Sequence, residues 1–362
     1  MKAFVTGGSG FIGQQVIRKL IGRGYEVWAL ARSEESMAVV ERLGATAVPG
    51  DITDIASMRA GMAGSDVVFH IAAWYKLGAP DWMKAETINV GGTRKTLRLA
   101  HELGIPKIVY TSTVTVFGDT HGELLDETDY REGPFLSEYD RTKWLAHYKV
   151  ALPLIEKGAP IIIVMPGVVF GPGDTSVAAD MMRLFYRGLP VVPGSDTTLA
   201  YAHVEDIAEG HLLAAEKGKV GESYILAGPA IPLGEMVDFW AHLTGKRAPS
   251  LRIPSQWLRP FAPLVGAIES IIPLPSTFSR EAVEGLGATY IARSDKARVE
   301  LGWQTRPLQT GMLETFDWIA ETEEERVETA VPATREKQIA KLALTTAFAL
   351  FLAWLLFGRH RK

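Results

Sequence analysis

Tyr139 and Lys143 are four residues apart in a segment with a helical pattern, Tyr-Asp-Arg-Thr-Lys. On a helix this spacing puts both side chains on one face, with their Cβ atoms about 5–6 Å apart. A lysine ammonium so close stabilises a phenolate and moves the tyrosine pKa from about 10 toward the range that general acid–base catalysis needs. The same spacing occurs on ordinary helix surfaces, so it predicts proton transfer only in combination with other motifs.

Hydroxyl side chains lie at the end of the apolar run that precedes this helix. The sequence Val-Tyr-Thr-Ser-Thr over residues 109–113 is typical of a strand that ends at Ser112 and Thr113. Ligands of parallel sheets bind at the carboxyl ends of the strands. We therefore expect these hydroxyls to lie where a substrate oxygen can be held.

A glycine-rich turn follows the first apolar segment. Residues 1–5 are typical of a buried strand, and residues 6–13, Thr-Gly-Gly-Ser-Gly-Phe-Ile-Gly, lead into a helical pattern with one apolar face. Glycines at positions 7, 10 and 13 allow a sharp turn, a close approach of the backbone to a pyrophosphate, and tight packing of the helix on the strand. The sequence therefore predicts a dinucleotide-binding turn.

The composition excludes several classes of protein. The chain has 362 residues, a net charge of −4 and no cysteine, and none of its eight histidines shows a paired metal-ligand spacing. We predict no nucleic-acid partner, no disulfide and no metal site. No basic and apolar leader precedes the first strand, so we expect a cytoplasmic catalytic domain.

Strand and helix patterns alternate through the first half of the chain. Apolar runs at 26–31, 66–71, 107–112 and 161–165 are typical of strands buried on both faces, and residues 85–103 form the clearest helical pattern. This alternation predicts an α/β fold with a doubly wound parallel (Rossmann) sheet.

The C-terminal tail differs from the rest of the chain. Residues 342–357 carry no charge and precede Arg-His-Arg-Lys at 359–362, while residues 321–338 are charged and contain proline. A helix over 342–357 spans about 25 Å, slightly less than the roughly 30 Å of a hydrocarbon core. We predict a charged linker at 321–338 and a membrane-anchoring hydrophobic helix at 339–358, with shallow insertion or packing on the protein as alternatives.

Several motifs occur together and in order. They are residues 6–13, Ser112-Thr113 followed by Val116-Phe117-Gly118, Tyr139-x-x-x-Lys143, and Pro-Gly-Val-Val-Phe-Gly-Pro-Gly at 166–173. Over roughly residues 1–320 the chain resembles the extended short-chain dehydrogenases/reductases of the NAD-dependent epimerase/dehydratase superfamily. It is most similar to the branch that holds dihydroflavonol-4-reductase-like and 3β-hydroxysteroid-dehydrogenase-like enzymes.

The resemblance implies an enzyme that transfers hydride between a nicotinamide cofactor and a substrate carbon. It implies that Tyr139 exchanges the proton, that Lys143 tunes Tyr139 and binds the ribose, and that Thr113, or else Ser112, holds the substrate oxygen. His203 and Asp206 match a family segment, and we assign them structural roles. The cofactor-binding residues implied are Thr6, Gly7, Gly10, Phe11, Ile12, Gly13, Arg32, Asp51, Ile52, Ala72, Ala73, Asn89, Tyr139, Lys143, Pro166 and Val168.

The end of the second strand bears on the choice of cofactor. An NAD enzyme usually has an acidic residue near Ala31, whereas this chain has Arg32, which can meet a 2′-phosphate. NADP(H) is therefore favoured, and NAD(H) stays possible because Glu34 or Glu35 could reach the ribose.

We predict a Rossmann domain at residues 1–170, to which the chain returns around residues 200–228. Residues 171–320 are predicted to form mainly the substrate-binding domain. The arginine that typically precedes the 203–206 segment in nucleotide-sugar enzymes is absent, and apolar residues are frequent at 73–83 and 253–272. The favoured substrate is an apolar ketone or alcohol. An NAD-retaining epimerase or dehydratase using Arg183 or Arg252, and a non-enzymatic cofactor-binding scaffold, are the alternatives. The sequence leaves the oligomeric state open, although homodimers formed through the helices that end near residues 103 and 155 are common in the family that the chain resembles.

Overall fold

The structure is a computed structural model that describes residues 1–75, 82–271, 274 and 276–329. Its strands are β1 (Lys2–Thr6), β2 (Glu26–Ala31), β3 (Thr46–Pro49), β4 (Val67–His70), β5 (Ile108–Thr111), β6 (Ile161–Pro166), β7 (Val168–Phe170), β8 (Val191–Pro193), β9 (Thr198–His203), β10 (Ser223–Leu226), β11 (Ala230–Pro232), β12 (Leu251–Ile253) and β13 (Thr289–Tyr290). Its α-helices are α1 (Phe11–Gly22), α2 (Glu34–Arg42), α3 (Ile55–Met62), α4 (Trp82–Glu86), α5 (Thr93–Glu102), α6 (Glu138–Ala146), α7 (Leu152–Glu156), α8 (Val177–Tyr186), α9 (Val204–Lys217), α10 (Leu233–Thr244), α11 (Ser255–Leu258), α12 (Ala262–Glu269), α13 (Arg280–Glu284) and α14 (Leu308–Thr329).

The predicted parallel sheet is confirmed. It has seven strands in the order β3-β2-β1-β4-β5-β6-β10, and every neighbouring pair is parallel. The strand order reverses between β1 and β4, which opens a crevice at their carboxyl ends. The five strands predicted from apolar runs lie within two residues of their expected bounds. The sequence patterns do not predict β3 or β10; the edge strand β3 has only four residues, of which one is buried.

Both faces of the sheet are covered by helices. In β1, Phe4 packs with residues of α3, α5 and α6, whereas its neighbours Ala3 and Val5 pack with α1 and α9. Since successive side chains of a strand point to opposite faces, each strand contributes to both cores. This explains why the predicted strands are apolar at nearly every position.

The long helix predicted at 85–103 extends over residues 82–102. A π-helical segment, Thr87–Gly92, interrupts it between α4 and α5. The wider turn includes Asn89, whose side chain is buried. Single π-turns of this kind often occur where a helix serves a functional site.

The C-terminal half forms its own small sheet and core. Strand β9 pairs with β7, β11 and β13, and β8 pairs with β12. A third buried cluster joins α8, α10 and α14 through residues such as Phe185, Trp240 and Phe316. Helix α14 continues to Thr329, so the first part of the predicted linker is helical.

The predicted membrane anchor at 339–358 lies outside the described residues, as does the remainder of the linker. In the part of the chain that the structure describes, no helix combines the length and the apolar character needed to cross a bilayer.

Candidate active site

A single cleft of about 1020 Å³ lies at the carboxyl ends of the central strands and continues into the C-terminal half. Most residues singled out in the sequence line it. These are Gly7, Gly10, Phe11, Ile12, Gly13, Arg32, Asp51, Ile52, Ala72, Ala73, Ser112, Thr113, Tyr139, Lys143, Pro166 and Val168. The fold thus brings residues from seven separate segments to one surface.

The glycine turn is too crowded for side chains. Gly7 has φ +75°, and a Cβ there would lie 2.6 Å from the backbone nitrogen of Ala72. A Cβ on Gly13 would lie 2.0 Å from the carbonyl oxygen of Gly7, which accepts a hydrogen bond from the nitrogen of Gly10 at 3.0 Å. Helix α1 begins at Phe11, after Gly10, and no side chain caps it. Its first amides therefore face the cleft as a site for phosphate groups, and the turn fits a dinucleotide.

Helix α6 positions the proposed proton donor. Ser137 caps the helix by accepting a hydrogen bond from the nitrogen of Asp140 at 3.1 Å. One turn into the helix, Lys143 is buried, and its ammonium donates to the carbonyl oxygen of Thr111 at 2.7 Å. Tyr139 and Lys143 both line the cleft, as their spacing predicts.

The expected lowering of the Tyr139 pKa is wrong for this arrangement. Burial raises the pKa of Tyr139 well above its usual value, and the nearby Tyr75 and Asp140 add to the rise, while a hydrogen bond with Thr113 opposes it. Burial also lowers the pKa of Lys143 to about 7. Desolvation disfavours the charged form of both groups. Tyr139 therefore carries its proton at neutral pH.

The two candidate hydroxyls have different partners. Ser112 Oγ is hydrogen-bonded to Nδ1 of His147 at 2.8 Å, in a buried contact. Thr113 lies close enough to the Tyr139 hydroxyl to lower the pKa of that phenol, and its Oγ1 accepts a hydrogen bond from the nitrogen of Thr115 at 3.2 Å. Thr113 is thus the residue whose hydroxyl lies beside Tyr139, whereas the Ser112 hydroxyl connects the end of β5 to His147.

Two residues expected to touch the cofactor do not line the cleft. The hydroxyl Oγ1 of Thr6 is hydrogen-bonded to Nδ1 of His70 at 2.8 Å. Asn89 accepts from the nitrogen of Trp74 at 2.7 Å and donates to the Trp74 oxygen and to Thr142 Oγ1, both at 3.0 Å. Both the oxygen and the nitrogen of the Asn89 amide have hydrogen-bond partners, so Asn89 connects the loop after β4 to helix α6 and stabilises the site without lining the cleft.

The adenosine end of the cleft contains Arg32, which is exposed and forms no ion pair with any described residue. Glu34 and Glu35 lie in the first turn of α2, and neither lines the cleft. Asp51 lines it and accepts hydrogen bonds from the nitrogen and the hydroxyl of Thr53, both at 2.8 Å. This end of the cleft therefore offers a cofactor one guanidinium, from Arg32, and one carboxylate, from Asp51.

Acidic and phenolic groups that the sequence analysis did not single out line the substrate end. Buried Asp140 accepts a hydrogen bond from the Tyr290 hydroxyl at 3.2 Å, and burial raises its pKa to about 6. Glu281 accepts from the nitrogen of Glu138 at 3.1 Å, and buried Asp174 binds Ser176. The ring of Tyr75 packs edge-on against Tyr139, with 4.8 Å between centroids. No local sequence pattern predicts Glu281 or Tyr290 as site residues, because only the tertiary structure brings them into contact with α6.

The arginines considered for a pyrophosphate are engaged elsewhere. Arg183 donates to the Asp174 carbonyl at 2.6 Å, Arg252 pairs with Asp238, and neither lines the described cleft. Arg187 does line it, and it forms a two-pronged ion pair with Glu323 at 2.6 and 2.7 Å. These contacts give no support to a nucleotide-sugar site.

The remaining wall of the substrate end is apolar. Part of the predicted stretch lines the cleft, namely Ile253, Leu258, Phe261 and Val265, together with Met181, Leu184, Trp240, Phe278 and Leu286. Trp257, Leu264 and Ile271 are exposed instead, as are Trp82 and Met83. Lys76, Leu77 and Ile272 lie outside the described residues.

The structural roles predicted for His203 and Asp206 are confirmed. His203 caps α9 by accepting from the nitrogen of Glu205 at 3.4 Å. Asp206 accepts from the backbone nitrogen of Arg306 at 2.9 Å and from its guanidinium at 3.1 Å, which joins α9 to the segment before α14.

Comparison with known proteins shows a family. The model of the NAD dependent epimerase/dehydratase family matches residues 3–227. The chain is 33% identical to 4-hydroxy-2-methyl-3-oxo-4-farnesyl-3,4-dihydroquinoline-1-oxide ketoreductase of Stigmatella aurantiaca, over 84% of this chain and 92% of the relative. It is 27% identical to sterol demethylase protein B of Methylococcus capsulatus, over 89% and 99% of the two chains.

Solved structures agree on the fold. The crystal structure of gox2253 superposes with a TM-score of 0.77 at 32% identity, over 88% of this chain and 98% of the other. UDP-glucose 4-epimerase of Thermotoga maritima superposes with a TM-score of 0.71 at 22% identity, over 89% and 99%, a likeness of fold alone. The chain therefore belongs to the NAD-dependent epimerase/dehydratase family of extended short-chain dehydrogenases/reductases, and it is an NAD(P)-dependent oxidoreductase.

Proposed function

We propose that the protein reduces a ketone on an apolar, uncharged small molecule with NADPH. The observation that carries the proposal is the placement of Thr113, Tyr139 and Lys143 together in a cleft whose substrate end is walled by apolar side chains. A protonated phenol is the form that can donate to a carbonyl oxygen. The relatives named as a farnesyl-quinoline ketoreductase and a sterol demethylase protein support an apolar substrate.

Each residue of the site has a separate role in this proposed reaction. Thr113 and Tyr139 hold the carbonyl oxygen, and Tyr139 donates its proton as negative charge develops there. Lys143, held by its hydrogen bond to the Thr111 carbonyl, stabilises in its protonated form the phenolate that this transfer leaves. The nicotinamide cofactor supplies the hydride when it is bound. The glycine turn, Arg32 and Asp51 are the groups that would hold its dinucleotide.

The charge of the substrate gives a direct test of this function. Asp140, Asp174 and Glu281 line the substrate end, so a carboxylate on the ligand meets like charges, which cost several kcal/mol. We expect a methyl ester of an apolar keto acid to be reduced with a kcat/KM at least about 100-fold higher than the free acid, since about 1.4 kcal/mol is tenfold. NADPH oxidation on the matched pair measures this ratio.

The control for this test is Glu281→Gln. The amide oxygen can still accept from the nitrogen of Glu138, so the variant removes the charge and leaves the helix contact. Turnover of the acid should rise while that of the ester stays unchanged. Equal turnover of acid and ester by the unmodified protein would contradict the proposed electrostatics, and no turnover of any apolar ketone would contradict the function.

Arg32 is the basis for the proposed preference for NADPH. Replacing Arg32 with alanine removes a charged hydrogen-bond donor that is worth about 1.5–3 kcal/mol to a phosphate. We expect the ratio of kcat/KM for NADPH over NADH to fall by about 10- to 100-fold. Arg42→Ala, on the last turn of helix α2 that follows Arg32, is the matched control. An unchanged ratio in Arg32→Ala would show that other groups select the cofactor.

We further propose that the C-terminal segment tethers the enzyme to a membrane. The support is the uncharged sequence at 342–357 and the basic residues at 359–362. Full-length protein should sediment with membranes, and a chain that ends at residue 337 should stay in the supernatant with its ketone reductase activity intact. Full-length protein that stays in the supernatant without detergent would refute the tether.

A further inference from the structure

The segment that follows β12 has apolar side chains both where it lines the cleft and where it is exposed. It consists of α11, a 3₁₀ turn (Arg259–Phe261), α12 and the residues up to Ile271. On its inner side Leu258, Phe261 and Val265 line the cleft. On its outer side Trp257, Leu264 and Ile271, spaced by seven residues, are 52%, 49% and 82% exposed, and we call these three residues the outer face. A surface helix of a soluble protein usually has a polar outer side.

Exposed apolar side chains are concentrated beside the cleft. The described residues include 13 large hydrophobic side chains that are exposed, and six of them lie in two segments that border the cleft. Three form the outer face, and the others are Tyr75, Trp82 and Met83 on the two sides of residues 76–81. Scattered exposed hydrophobics need no explanation, but a concentration at a binding cleft marks an interaction surface.

The composition of the segment favours lipid over water or a charged partner. Between residues 255 and 271 the only charged side chains are Arg259 and Glu269, and Glu269 accepts a hydrogen bond from the nitrogen of Arg280 at 3.0 Å. Tryptophan and arginine are the residues that anchor a helix at the boundary of a bilayer. The same segment carries part of the apolar wall of the cleft, through Leu258, Phe261 and Val265.

We propose that the outer face lies in the interfacial region of a lipid bilayer, together with Trp82 and Met83, and that apolar ketones pass from the bilayer past this segment into the cleft. The evidence for docking is the set of exposed apolar side chains. The passage of substrate depends, in addition, on the proposed function. The tail at 342–357 is a separate attachment, so binding to vesicles alone does not test the docking.

The absence of cysteine makes a site-specific test possible. Leu264→Cys in the full-length chain is labelled with an environment-sensitive fluorophore and mixed with vesicles of phosphatidylcholine and phosphatidylglycerol in equal amounts. The label should shift to shorter wavelength and lose emission when doxyl-labelled lipids are included. Val299→Cys, whose native side chain is 84% exposed away from the cleft, should show neither change.

Two outcomes would overturn the docking. Vesicle-bound protein whose label at position 264 resembles that at position 299 would show that only the tail holds the membrane. A label at 264 that is already shielded without vesicles would show that the tail or a second copy covers the outer face.

A kinetic measurement separates this proposal from the proposed function. Leu264→Glu should raise the KM for a ketone dissolved in vesicles and leave kcat/KM for a water-soluble ketone unchanged. An unchanged KM for the vesicle-borne ketone counts against passage from the bilayer. Failure of the unmodified protein to reduce the water-soluble ketone counts against the function.

Discussion

Tyr139→Phe is expected to reduce kcat by about 10²- to 10⁴-fold, the contribution of a positioned general acid. The substitution removes one hydroxyl from a ring that packs edge-on against Tyr75, so the shape of the site is kept. Binding of NADPH should be nearly unchanged, because the glycine turn and Arg32 are untouched. Stopped-flow measurement of NADPH oxidation and a titration of NADPH fluorescence measure the two quantities separately.

Tyr130→Phe is the matched control for this prediction. Tyr130 is 54% exposed, and its hydroxyl donates to Glu132 at 2.9 Å on the surface. Its loss should leave kcat within the error of the measurement. Substantial turnover by Tyr139→Phe would assign the proton to another group.

Gly13→Val is expected to abolish binding of the dinucleotide and to destabilise the fold. A Cβ at this position lies 2.0 Å from the Gly7 oxygen and 2.8 Å from the Gly8 Cα, and both are backbone atoms that cannot move aside. The turn must open, at a cost of at least about 2 kcal/mol by the measure of overpacked sites. Since displacement of a binding group by 1 Å can cost about 100-fold, NADPH affinity should fall by at least that factor.

The control is Gly22→Ala in the same helix. Gly22 is the last residue of α1, and a Cβ there meets nothing within 4 Å. Alanine is the better helix former by about 1 kcal/mol, so stability should be unchanged or slightly higher. Calorimetry and NADPH titration of both variants make the comparison. Tight NADPH binding by Gly13→Val would contradict the assignment of this turn to the dinucleotide.

Local patterns in the sequence determined the central sheet and the core of the cleft. A strand buried on both faces needs apolar residues at nearly every position, and this requirement appears directly in runs such as residues 161–165. The glycine turn and the spacing of Tyr139 and Lys143 also depend only on neighbouring residues. Such features can be predicted because the physical constraint and the residues that satisfy it are close in the chain.

Only the tertiary structure decided the charges around the catalytic helix. Tyr290 and Glu281 contact α6 from positions more than 140 residues away, and no spacing in the sequence indicates these contacts. The pKa of Tyr139 is raised, against expectation, because desolvation depends on how many groups surround the ring and not on the position of Lys143 alone. Likewise, Asn89 supports the site from below, since the π-turn directs its amide toward Trp74 and Thr142. Burial and long-range contacts exist only once the chain has folded, and these determine which of the predicted residues can reach a ligand.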